Sequence, residues 1–528
     1  MTPISLQTVT WVVLLGLACH GIIKLLRFGR REKHLPPGPP TVPILGNAHL
    51  LPPRGIFMKF KEWSDQYGPV FSLKVGASTM IVLNDPRAVH ELLNKKGALY
   101  VDRPNDEQWD LTGRHEIFVL MHAGDEWKAI RKIMTQLFTP KNLDGKLVQL
   151  QESEVNWLMF DLLEKPKDFY ESVQRTSSSI ASTMIYGQRA PEWKSFWASG
   201  LNDVIDATSR AIEPGSYLPI NQFPFLKLIP DRWVPSKQFA QQTHRNNTAI
   251  FSKARELVEE RRKNGDIRES LADHVIDGSI KPDVPLPFSQ INSALLGTAH
   301  NGASESSAGG SLTSILFLAK YPHFQEKARV ELDRVCGSER MPRWSDFDNL
   351  PYINCIVKEG QRMRPFLPTG VPYRAKEDAW FDGMLIPKEA TVFMPVYALN
   401  HTYYTDPATY NPDRYLNHPK HSTEYAISSD YENRDHYAFG AGRRICVGMH
   451  LGERTLWRII AQILWAFKIE QAVDETGQLI ELDIHGYTDG IVYAPKPYMV
   501  RFISRSEKHA DVIRKVASEA KSYFKQWE

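Results

Sequence analysis

The stretch from Val9 to Ile23 is nearly all apolar, and with its flanks, Leu6 to Leu26, it reaches the length of a bilayer-crossing helix. His20 and Lys24 fall at its far end, where a lysine can snorkel to the headgroups. Arg27, Arg30, Arg31 and Lys33 follow at once, and no basic side chain precedes the span. The positive-inside rule then places the N-terminus in a lumen and the rest of the chain in the cytosol. A cleaved signal peptide would need a basic leader and a small-residue cleavage site. Neither is clear, so residues 1–26 are expected to be an uncleaved single-pass anchor in the endoplasmic reticulum membrane. The sequons at Asn246 and Asn400 would then face the cytosol unmodified. Residues 27–46 form a basic, proline-rich linker, stiff through Leu35-Pro36-Pro37-Gly38-Pro39-Pro40.

Beyond the linker the pattern mixes short strands with long helices. Residues 71–75 and 80–83 read as strands joined by a turn that begins at Gly76. Asp85-Pro86 opens a helix over 88–93. From Asp125 the helical period dominates, over 147–163, 237–262, 288–319 and 323–335. Strand signals return near 371–374 and 390–396. The expected fold is mainly α with small β-sheets, as one catalytic domain over 47–505. Residues 506–528 read as an added helix, solvated or lying on the membrane, with no chemistry assigned. No repeat and no fused flavin-binding segment is evident.

Composition narrows the function classes. A formal net charge of +3 over 528 residues gives no global reason to bind nucleic acid. The four cysteines, Cys19, Cys336, Cys355 and Cys446, are far apart and form no C-x-x-C pair. A disulfide framework or structural zinc site is therefore not expected.

One of those cysteines sits in a distinctive loop, Phe439-Gly440-Ala441-Gly442-Arg443-Arg444-Ile445-Cys446-Val447-Gly448, directly before a helical pattern. A metal-bound thiolate needs nearby cations and helix N-terminal amides. Glycines let backbone N–H groups approach the sulfur, and Phe439 can shield it. That environment suits an axial ligand of haem iron. A phosphate loop is the other use of such glycines, but no Lys-Ser/Thr pair follows them.

These residues resemble the haem-binding signature of the cytochrome P450 family, F-x-x-G-x-R-x-C-x-G, with Phe439, Gly442, Arg444, Cys446 and Gly448 at its fixed positions. The resemblance runs from the anchor to about residue 505 and implies the cytochrome P450 fold. It implies haem b, with Cys446 as the iron ligand. Trp127 and Arg131 match the family's W-x-x-x-R helix and are expected to meet the haem propionates, with Arg374, His436 and Arg444 as further partners and Phe439 as a cofactor neighbour. Glu359-Gly360-Gln361-Arg362 matches the buried Glu-x-x-Arg pair, which should lock onto Arg414 and hold the cysteine loop. Gly302-Ala303-Ser304-Glu305-Ser306 matches the oxygen-side helix, with two departures: Ala303 replaces the usual glycine and Ser306 the usual threonine. Glu305 and Ser306 are the expected catalytic proton carriers, with Ser304 and Ser307 as alternative hydroxyls. His300-Asn301 just before them is unusual.

The resemblance further implies a monooxygenase that activates dioxygen with electrons from NADPH through a separate membrane-bound flavin reductase, with cytochrome b5 as a possible second donor. The substrate would be a small, largely apolar organic molecule, met by walls around 100–120, 366–371 and 487–492, where no charged anchor stands out. Lys128, Lys132 and Arg443 would offer the reductase a basic patch. The overall texture is similar to fungal secondary-metabolite oxidases. Desaturation, ring closure or oxidative coupling by the same fold is the alternative, and a non-catalytic haem protein that senses or carries a ligand is the remote one.

Overall fold

The computed structural model describes residues 10–11, 13–17, 19–20 and 28–527. Most of the expected anchor therefore lies outside the described residues. Among those described, no helix is long and apolar enough to cross a membrane.

The strand pattern folds as its period demands. Strands β1 (Val70–Val75) and β2 (Ser78–Leu83) pair antiparallel, with Val70 opposite Leu83. Gly76 turns the chain between them at φ +54°. Phe71, Leu73, Val75 and Val82 pack on Phe60 and Trp63 on one face. Val70, Ile81 and Leu83 pack on Val89 and Leu92 on the other. Alternate residues thus serve two apolar clusters, so β1 is buried throughout. Strand β3 (Tyr373–Arg374) is followed by a hairpin, β4 (Ala379–Phe381) with β5 (Met384–Ile386), and then by β6 (Thr391–Phe393). β6 joins β2 in parallel and β3 at its other edge, giving the order β1-β2-β6-β3. The last sheet pairs β7 (Phe467–Gln471) with β8 (Val500–Ser504).

The rest is a helical body. Its main members are α1 (Asp125–Leu137), α2 (Val148–Glu164), α3 (Phe169–Tyr186), α4 (Leu201–Ile212), α5 (Pro235–Lys263), α6 (Thr298–Lys320), α7 (Pro351–Met363), α8 (Met449–Ala466) and α9 (Glu507–Phe524). The apolar run from 288 is not a uniform helix: Ile291–Gly297 is wound as a wider π turn before α6 continues on the same path. α6 and α8 carry much of the largest apolar cluster, including Leu312, Ile315, Trp457 and Ile460. They approach so closely that a Cβ on Gly310 would stand 2.8 Å from Leu456.

The C-terminal helix differs from expectation. α9 is docked on the protein, with Ile513, Ala517 and Phe524 buried. Phe524 meets Trp157 edge-on at 5.9 Å, and the Arg189 guanidinium sits 3.6 Å from the Phe524 ring centre while pairing with Glu154. Its apolar stripe covers α2, which explains why a helix that reads as peripheral is part of the core.

Candidate active site

The cysteine loop is shaped by close backbone contacts. Cys446 N–H donates to the Phe439 carbonyl at 2.9 Å and folds the segment back on itself. Gly442 adopts φ +66°, its N–H donates to Asn94 Oδ1 at 2.9 Å, and a Cβ there would lie 2.2 Å from the Leu93 carbonyl oxygen. No other residue type fits that position without moving the chain. The Cys446 side chain opens into a cavity of about 280 Å³ walled also by Phe439, Val447, Ala303 and Ser306. Burial pushes its thiol up, while the Gly448 N–H and the Arg131 guanidinium act in the opposite direction.

Three arginines reach the same cavity: Arg103, Arg131 and Arg444. Arg131 donates to the Ile445 carbonyl at 2.8 Å. Arg444 donates to the carbonyls of Val101 and Met121, both at 2.7 Å, and covers the Trp127 ring at 4.0 Å. Arg103 donates to the carbonyls of Val119, Val371 and Pro372. Burial pushes Arg444 down to about 8 with help from the neighbouring Arg103, and burial pushes Arg103 down to about 10. Trp127 Nε1 and Arg444 Nη1 are buried without a partner. Buried cations that depress one another, beside unused donors, fit the two propionates of a haem. A free cysteine in the same apolar cavity fits its iron.

Two of the expected propionate partners are placed elsewhere. Arg374 is held by Asp102 and Glu389 and does not line the cavity. His436 is fully enclosed behind Phe439, with ring centres 5.4 Å apart, and accepts from the Ala438 N–H. Arg103 stands in their stead, and sequence reasoning missed it. Arg103-Pro104 follows Asp102, a signal readable only once Asp102 is seen to engage Arg374.

The Glu359–Arg362 pair is fully buried. Arg362 Nε and Nη2 donate to the two Glu359 oxygens at 2.7 and 2.8 Å, and Arg414 Nε donates to Glu359 Oε1 at 3.2 Å. Arg362 Nη1 also donates to the carbonyls of Asn400 and Pro407. Asn400 then extends the network, its Nδ2 donating to the Arg362 carbonyl at 3.2 Å and its Oδ1 accepting from the Tyr437 N–H at 2.9 Å. The carboxylate is thus connected, through one carboxamide, to the segment that leads into the cysteine loop. This sequon asparagine is fully buried, whereas Asn246 is exposed on α5.

Above the cysteine, α6 separates two cavities. Ser306 lines the one around Cys446, and its hydroxyl donates to the Gly302 carbonyl at 2.8 Å. Glu305 lines a second cavity of about 210 Å³, and burial, reinforced by Asp206 and Asp203, pushes it up to about 7. The cavities share a wall that includes Val119, Gly302, Phe366 and Val371. Ser304 is not an alternative on this face, because its hydroxyl turns away to Asn202 Oδ1 at 2.8 Å. Ser307 does line the cysteine cavity. The segments 100–120, 366–371 and 487–492 all contribute to the second cavity. α4 and α5 contribute as well, with Val204, Thr208, Asn247 and Phe251, and Glu116 and Glu213 add carboxylates that the sequence did not single out. Their apolar spacing reads as ordinary core, so nothing local marked them.

The basic patch is weaker than expected. Lys128 pairs with Asp125 and Lys132 with Asp283, each at 2.9 Å on the open surface. Such pairs contribute little stability, but they offset the charge a partner would meet.

Comparison with known proteins agrees with this geometry. The family profile described as Cytochrome P450 matches residues 36–502. A cytochrome P450 monooxygenase of Arthrobotrys oligospora is 35% identical, with 100% of each chain covered. The cytochrome P450 monooxygenase yanC of Aspergillus niger is 36% identical over 96% of each chain, and macC of Penicillium terrestre is 35% identical over 98% of this chain and 97% of its own. A zebra fish cytochrome P450 solved with abiraterone superposes with a TM-score of 0.66 at 22% identity, covering 85% of this chain and 100% of that one. With the family profile spanning the cysteine loop, the Glu359–Arg362 pair and the helix between the two cavities, the chain belongs to the cytochrome P450 family and is an oxidoreductase of that type.

Proposed function

We propose that this protein is a membrane-anchored, haem-thiolate monooxygenase that inserts oxygen into a small, largely apolar molecule of fungal secondary metabolism. Its electrons would come from NADPH through a separate flavin reductase. The observation that carries the reading is the shared wall: a mostly apolar cavity adjoins the one that holds Cys446, across Gly302, Phe366 and Val371. The fungal relatives named as monooxygenases support it. The anchor is supported by the apolar residues 6–26 and by the exposure of Trp11, Leu15 and Leu17.

When bound, haem supplies the activation of dioxygen. The chain supplies placement and protons. Cys446 is offered from a loop that cannot shift, since Gly442 is pinned against Leu93. Arg103, Arg131, Arg444 and Trp127 would hold the propionates, and Phe439 covers the cysteine side. Ser306 keeps its proton on the Gly302 carbonyl and has a free lone pair facing the cavity. Glu305, poised near 7, can give up a proton and regain one at neutral pH. It lies on the adjoining cavity, so relay to Ser306 requires water between them.

Two results are expected. First, product formed under isotopically labelled dioxygen carries one labelled atom; unlabelled product would point to desaturation or coupling instead. Second, the yield of product per electron pair falls as pH rises through about 7, because the protonated fraction of a carboxyl group poised there falls. Glu305→Gln flattens this profile, and Ser306→Ala lowers the yield at least about tenfold. A wild-type yield independent of pH across that range would remove Glu305 from proton delivery.

A further inference from the structure

The pair His300-Asn301, one position ahead of the small residues of α6, has no part in the scheme above. His300 is fully buried, and its Nδ1 lies 2.9 Å from Asn301 Oδ1. Burial pushes His300 down to about 4, so the ring is neutral at physiological pH. The neutral ring pairs through Nδ1 with the Asn301 carboxamide, and the backbone of Trp197 and Ser178 also holds it in place. The carboxamide of Asn301 is thereby tethered to a buried, neutral ring. Asn301 lines the second cavity, beside Gly302 in the shared wall.

The rest of that cavity has a consistent chemistry. Its polar groups include the carboxylates of Glu116, Glu213 and Glu305, and no lysine or arginine lines it among the described residues. Asn247 Oδ1 and Ser293 Oγ also belong to its lining, and both are buried without a partner, on residues 7% and 3% exposed. Unpaired polar atoms in an apolar enclosure are costly unless a ligand satisfies them. Trp109, Phe251 and Phe366 supply the apolar surface for its body. A carboxylate ligand would enter an enclosure whose burial already pushes Glu213 and Glu305 up to about 7, with no lysine or arginine among the described residues of its lining to offset the added charge.

Resting on the haem-monooxygenase reading above, we propose that Asn301, positioned by His300, is the residue that orients substrate, and that it does so by hydrogen-bonding an uncharged hydroxyl group on an otherwise apolar molecule. A hydroxyl both donates and accepts, so it can pair with the Asn301 carboxamide and with an acceptor such as Asn247 Oδ1, and it brings no charge into the enclosure. The substrate is then held by the wall nearest the reacting centre, which fixes the position attacked as well as the affinity.

The test uses haem-loaded enzyme that shows the thiolate carbonyl signature, titrated by its spin-state absorption change with naphthalene, 2-naphthol and 2-naphthoate. Wild type is expected to favour 2-naphthol over naphthalene by about fivefold, the effect of one neutral hydrogen bond, and to bind 2-naphthoate most weakly. Asn301→Leu, at a partly exposed position, is expected to erase the preference for 2-naphthol over naphthalene. His300→Leu should have the same effect, and His300→Asn, which keeps a polar partner for the Asn301 carboxamide, should restore the preference. If Asn301→Leu keeps the wild-type ratio, or if wild type binds 2-naphthoate as tightly as 2-naphthol, the proposal is overturned. Failure of wild type to give the thiolate signature would instead overturn the haem reading beneath it.

Discussion

Cys446→Ala, loaded with iron protoporphyrin, is expected to lose the red-displaced absorption of its carbonyl complex completely. Among the described residues the cysteine is the one thiol lining its cavity, and the thioethers of Met134 and Met394 in the same lining cannot supply an anionic sulfur. Cys336 and Cys355 are buried elsewhere, where burial pushes their thiols up to about 11 and about 12, and neither lines the cavity. No other side chain lining the cavity can therefore replace the thiolate. Protein yield should change little, since the sulfur accepts no structural contact beyond the Gly448 N–H. Arg103, Arg131 and Arg444 remain to hold the porphyrin, so the variant should still retain pigment while showing the spectrum of a non-thiolate complex. Survival of the red-displaced band would remove Cys446 as the ligand and with it the functional reading.

The second large effect is on folding. Arg362→Leu leaves Glu359 as a buried carboxylate with only Arg414 and the Asn411 N–H as partners. Both members of the pair are wholly inaccessible. Breaking such a pair by removing one side costs about 3–5 kcal/mol, more than a typical domain can lose without visible unfolding. The same change frees the carbonyls of Asn400 and Pro407. Loss of haem retention at ordinary temperature is the expected outcome, measured as pigment-to-protein ratio and as a lowered denaturant midpoint. Arg414→Leu should be milder, because its guanidinium makes only a longer contact with Glu359 and otherwise binds loop carbonyls near the surface. Equal damage from both would show that the network works as one unit without a dominant member.

The parts of this fold that were legible were those fixed by local chemistry. The cysteine loop announces itself because glycines, arginines and the aromatic ring have fixed offsets from the ligand. The helix of Glu359 and Arg362 is legible because proline opens it and Arg364-Pro365 closes it. Contacts between distant segments were not. Arg374 reads as a propionate partner, but Asp102, which claims it, lies in a distant segment of the chain. Arg103 reads as one arginine among many until the chain closes around it. The carboxylates Glu116 and Glu213 become cavity groups only when α4 and α5 pack around the same cavity. Lys128 and Lys132 look like a basic stripe, and only the fold brings Asp283 opposite the second of them.

The buried carboxamide of Asn400 has a consequence for where this chain can mature. Asn400-His401-Thr402 is an acceptor sequence for N-linked glycan, and its nitrogen is committed to the Arg362 carbonyl inside the protein. A copy delivered into a secretory lumen would present that tripeptide while still unfolded. A sugar attached there has no room beside Arg362, so the glycosylated copy could not close its core. Expression behind an export signal should therefore yield misfolded product, and Asn400→Gln would not rescue it, because the longer side chain cannot bridge Arg362 and Tyr437 in the same way.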